Sequence, residues 1–97
     1  MNAAMLNKLK KLQKEMTDAQ ERIESTEYEG KATGITVIVQ GSRQVVDVKI
    51  SMELLTDLEC LQDSILLAVN DALAKIDKAH EEVMQRFGGL ASGTGLF

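Results

Sequence analysis

Proline and tryptophan are absent, cysteine and histidine occur once each, and aromatic side chains make up only 3% of the 97 residues. Each shortage excludes something. A lone cysteine, Cys60, cannot close a disulfide within the chain and fits a reducing cytoplasm. One His and one Cys cannot furnish a clustered metal site, and no HExxH, GxSxG, CxxC or P-loop spacing occurs. So few aromatics leave little wall for a small-molecule pocket. The expectation is therefore a protein that is not an enzyme, with no cofactor and no small-molecule substrate. The same shortage removes the stacking platforms that hold single-stranded nucleic acid. The longest plainly apolar run, residues 65–69, is too short to cross a membrane. Residues 1–12 mix apolar side chains with lysines, so no signal peptide is expected either. What remains is 44% hydrophobic and 27% charged, with a formal net charge of −4. That is the composition of one globular domain, at a size where a core shared with a second copy adds useful burial.

Three blocks follow one another. In residues 3 to about 27, the apolar positions Met5, Leu9, Leu12, Met16, Ala19 and Ile23 recur at alternating intervals of four and three. That heptad seam predicts a long helix that packs along one line against another helix, with Asn2 as its N-cap. In residues 26–50 the period drops to two. Ile35, Val37 and Val39 alternate with Thr36, Ile38 and Gln40, and Val46, Val48 and Ile50 with Val45, Asp47 and Lys49. With Tyr28 and Ala32 before them, these predict three strands with one buried face, joined as an antiparallel meander by Thr33-Gly34 and Gly41-Ser42. Ile38 and Val45 are expected together on the opposite face. Residues 57 to 87 carry a broad helical stripe, from Leu58 and Leu61 through Ala68, Ala72 and Ile76 to Val83, widened by Leu66 and Leu73. Thr56 and Glu59 suggest a capping box at its start, and Gly88-Gly89 a stop at its end. The fold class is α+β: a long N-terminal helix, a three-stranded antiparallel meander and a long C-terminal helix. Residues 1–87 are expected to form one domain, and residues 88–97 a flexible glycine-rich tail.

Charge is unevenly spread. Residues 1–14 hold Lys8, Lys10, Lys11 and Lys14 and no acid, which leaves the rest of the chain at −8. At 100° per residue, Lys10, Lys11 and Lys14 face away from the seam and Lys8 flanks it. Lysines in the N-terminal half of a helix oppose its macrodipole, and departures of that kind tend to mark function. If the two long helices pair antiparallel, they form an arm that overhangs the sheet, with these lysines toward its tip. Lys75, Lys78 and Arg86 on the last helix would extend the patch. A lysine cluster suits duplex phosphates and carries little base information. The bland reading is a solvated face laced by Lys11–Glu15 and Lys14–Asp18 pairs.

The residues also resemble a known family. Leu6-Asn7-Lys8-Leu9 with Leu12-Gln13-Lys14-Glu15-Met16, Glu29-Gly30-Lys31-Ala32, the stretch from Gly34 to Gly41, Val45 to Ile50, Ala68-Val69-Asn70-Asp71-Ala72 and Gly93-Thr94-Gly95-Leu96-Phe97 resemble, in order, segments of the YbaB/EbfC family of bacterial nucleoid-associated DNA-binding proteins. The hairpin glycine stretch is about two residues short of the family pattern, and Thr33 stands where that pattern has glycine. The resemblance implies a tweezer-like homodimer whose helical arms grip duplex DNA, located at the cytoplasmic nucleoid. The competing reading is a dimeric protein-interaction adaptor or chaperone-like module without direct DNA binding. A salt-dependent duplex shift separates the two.

Overall fold

The computed structural model describes residues 2–94, with side chains through residue 88. Its elements run α1 (Ala3–Ser25), β1 (Glu27–Ala32), β2 (Ile35–Gln40), β3 (Val45–Ile50), a 3-10 turn (Met52–Thr56) and α2 (Leu58–Thr94). The molecule measures 68 × 20 × 13 Å, with a radius of gyration of 19.1 Å. A compact domain of this length would have a radius near ~13 Å. The excess is the arm: helices rise 1.5 Å per residue, so α2 alone spans about 55 Å.

Local chemistry sets the helix starts. The Asn2 side chain accepts a hydrogen bond from the Met5 N–H at 2.8 Å and so caps α1 as expected. The cap of α2 is not Thr56. The Asp57 carboxylate accepts from the Cys60 N–H at 3.0 Å, while the Thr56 hydroxyl donates backward to the Glu53 carbonyl. The 3-10 turn holds Thr56 inside the preceding structure and hands the cap to the next residue. The stop expected at Gly88-Gly89 also fails: α2 stays helical to Thr94. A helical glycine costs only about 1 kcal/mol, and no proline follows to enforce an end. Residues 95–97 of the expected tail lie outside the described residues.

The strands form one antiparallel sheet in the order β1-β2-β3. β2 is central, and its Ile35, Val37 and Val39 are buried. α2 crosses the sheet over β1 and β2, laying Ala68, Ala72 and Ile76 on that buried face. Gly30 makes this possible. A Cβ there would overlap the Ala68 carbonyl oxygen and lie 2.6 Å from the Ala72 nitrogen. At the other end of the strands, Gly41 lies against the Ile23 carbonyl, and its N–H donates to the Thr26 carbonyl at 2.8 Å. That contact ties the end of α1 to the sheet. α1 then runs antiparallel to α2: Ile23 shares a cleft with Ala79 and Val83, and Leu12 shares one with Phe87. The seam is buried only at its sheet end, through Ala19 and Ile23. Leu9 and Leu12 are half-buried, and Met5 is 55% exposed.

β3 departs most from the expected pattern. Val46, Val48 and Ile50, expected in the core, are 44%, 43% and 42% exposed. Val48 and Ile50 pair with Val37 and Ile35 and so share the face that α2 covers, but α2 does not reach across to β3. Ile38 pairs with Asp47, yet Val39 pairs with Val45. The extra residue in this bulge is Val46, and it moves Val45 onto the face of Val39. Ile38 and Val45 therefore do not form the shared surface expected of them.

Candidate nucleic-acid interface

Lys8, Lys10, Lys11 and Lys14 are all exposed on the part of α1 that leads away from the sheet. Three and four residues separate Lys8 from Lys11 and Lys10 from Lys14, so each pair lies one helical turn apart, about 5–6 Å between Cβ atoms. The first turn of α1 contains no acid. Among the described residues, none of the four lysines has an ion-pair partner, and neither Lys11–Glu15 nor Lys14–Asp18 closes. Their positive charge is held on a solvated surface.

The three candidates on α2 have different fates. Arg86 lies over the Phe87 ring, 4.8 Å from its centroid, and lines the cleft between the helices with Glu15, Asp18 and Arg22. Its charge thus faces acids as well as solvent. Arg22 was not marked by the sequence pattern, because Glu21 and Glu24 flank it; only helix pairing brings it to the cleft of Arg86. Lys78 is exposed and has no ion pair among the described residues. Lys75 is committed elsewhere. Its ammonium donates to the Glu29 carbonyl at 2.6 Å and lies 3.5 Å from Asp71. It belongs to the sheet body, about 20 Å along the arm from Lys14 by helix rise.

Asp71 links the same two elements. Its carboxylate accepts the Lys31 N–H at 3.0 Å. That hydrogen bond is the main cause of a carboxyl pKa below the usual value; desolvation opposes it, and the charge of Lys75 reinforces it. At the opposite flank of α2, Arg43 of the β2–β3 turn pairs with Asp77 at 2.5 Å. Arg43 holds a left-handed backbone, φ 71°. The two contacts orient α2: one flank is tied to β1, the other to the β2–β3 turn.

No group of three or more His, Cys, Asp or Glu side chains among the described residues is arranged to hold a metal. No described helix is long and apolar enough to cross a membrane.

The profile of the YbaB/EbfC DNA-binding family matches residues 1–91. The chain belongs to that family. The nucleoid-associated proteins of Ligilactobacillus salivarius (strain UCC118) and Enterococcus faecalis (strain ATCC 700802 / V583) are 38% and 37% identical, covering 87% and 86% of this chain and 85% and 84% of their own. That of Bacillus thuringiensis (strain Al Hakam) is 42% identical over 88 residues, 86% of this chain and 81% of its own. A crystal structure of an uncharacterised Helicobacter pylori protein superposes with a TM-score of 0.64 at 25% identity, covering 77% of this chain and 92% of that one. The helix–meander–helix architecture with its long arm is thus the family's α+β fold, and the chain belongs to a bacterial DNA-binding family rather than to an enzyme family.

Proposed function

We propose that this YbaB/EbfC family member binds duplex DNA as a homodimer, with low sequence specificity, and organises or locally reshapes nucleoid DNA. The observation that carries the reading is the group of four exposed, unpaired lysines on the acid-free outer part of α1. Lysine ammoniums neutralise phosphates without reading bases. Lys78 extends the surface along α2, and Arg86 contributes at the cleft. Lys75 contributes least, because its ammonium already serves the Glu29 carbonyl.

A homodimer explains the uncovered apolar surface. Val48 and Ile50 on β3, and Leu58 and Leu66 on α2, are large apolar side chains left exposed in one chain. A second copy covers both at once, and two arms give two phosphate-binding surfaces whose contacts reinforce each other. The adaptor reading uses the same apolar surface but gives the lysines no task.

Titration of a random duplex at two salt concentrations tests the proposal. Each phosphate-contacting lysine contributes up to about 0.9 to the slope of log K against log salt. Changing Lys10 and Lys14 together to Glu reverses charge on the outer face and should abolish measurable duplex binding while leaving dimer and melting temperature unchanged. Binding equal to the parent's would transfer the function to the adaptor reading.

A further inference from the structure

β1 is an edge strand, yet two of its outward backbone groups are already occupied. The Lys31 N–H donates to Asp71, and the Glu29 carbonyl accepts from Lys75. These two groups flank Gly30, and both point away from β2, which among the described residues is the one strand paired with β1. They are the donor and acceptor that an added strand would need. An open edge is a template for strand addition, and proteins close such edges with charges or with covering elements.

The reach depends on the close approach at Gly30. Ala68 and Ala72 are fully buried against β1, which brings the α2 backbone next to the strand. Asp71 has a short side chain and spans the remaining gap to Lys31 from the adjacent helical position. Lys75 stands one turn further on, pairs with Asp71, and reaches past it to Glu29. On the strand itself, Glu29 and Lys31 are exposed and pair with each other at 3.1 Å, which adds charge to the same edge. Among the described residues, the opposite edge lacks such a lock. The side-chain hydrogen bond on that side is Arg43–Asp77, and it holds the turn before β3 rather than the strand.

We infer that Asp71 and Lys75 form an edge guard. By occupying β1 they confine sheet-mediated assembly to the β3 side, so that copies of this chain form a closed assembly instead of adding strand to strand without end. The second copy of the chain is the partner that the guard turns away from β1.

Sedimentation velocity of the full chain over a range of concentrations tests this. The Asp71→Ala/Lys75→Ala double variant should show species larger than the parent's, growing with concentration. Asp71→Asn keeps an acceptor oxygen for Lys31 and should sediment as the parent does. Hydrogen exchange supplies a second readout that needs no assembly. The Lys31 amide should be protected in the parent and should exchange about tenfold faster or more in Asp71→Ala. A double variant that is folded and sediments as the parent does overturns the guard. So does a Lys31 amide that is unprotected in the parent, whether or not the variants fold. A parent found to be monomeric would refute the dimer reading alone and leave the guard to be judged by the same two measurements.

Discussion

Gly30 and Ala72 meet almost backbone to backbone: a Cβ on Gly30 would lie 2.6 Å from the Ala72 nitrogen and 2.8 Å from its Cβ. The neighbouring atoms are main chain or the Cβ fixed to it, so no side chain can swing away to make room. Gly30→Ala should push α2 off β1 and cost about 1–3 kcal/mol as overpacking. For a domain of this size each kcal/mol is worth roughly 4–8 °C in melting temperature. Calorimetry of this variant checks the close approach, and a melting temperature within a degree of the parent's would contradict it.

The exposed half of the apolar sheet face should answer to charge. Val48 is 43% exposed in one chain, although it shares the face of buried Val37. Val48→Lys should therefore leave a folded protein that sediments as a monomer, because the lysine can remain solvated only when no second copy covers it. Retention of a dimer of parental affinity would place the interface elsewhere.

The α2 cap separates two neighbouring residues. Asp57→Ala removes the acceptor of the Cys60 N–H and should cost about 1 kcal/mol. Thr56→Ala removes only a hydroxyl that donates to the Glu53 carbonyl and should cost clearly less. Chemical denaturation of the two single variants ranks them; the reverse order would return the cap to Thr56.

Acid should loosen the β1 edge. Asp71 has a depressed pKa in the folded chain, chiefly because it accepts the Lys31 N–H. A depressed carboxyl pKa favours folding above the unfolded value, near pH ~4, and that contribution is lost as pH falls through the folded value. The melting-temperature difference between the parent and Asp71→Asn should be constant from neutral pH to about 5 and shrink in more acid solution. A difference that widens on acidification would mean that the carboxylate is not the favoured form.

Periodicity and capping carried much of this structure. The seam from Met5 to Ile23, the Asn2 cap and the alternation in β2 are local features, and a helix or strand fixes which side chains share a face from spacing alone. Exposure of Lys10, Lys11 and Lys14 was legible for the same reason, since their phase relative to Leu9 and Leu12 puts them opposite the seam. Other features depend on what lies across from a residue. Val46, Val48 and Ile50 alternate as well as Ile35, Val37 and Val39 do, yet α2 lies over β1 and β2 and leaves β3 uncovered, because a helix about 10 Å wide cannot cover three strands spaced nearly 5 Å apart. The shift of Val45 to the face of Val39 follows from a bulge, which changes pairing without changing composition. Lys75 looked like another free cation of the arm, but its acceptor, the Glu29 carbonyl, lies 46 positions away in sequence. Helix phase can say that such a side chain leaves the core; only the packing of α2 on β1, set by the missing Cβ of Gly30, decides that it ends on a backbone oxygen instead of in solvent.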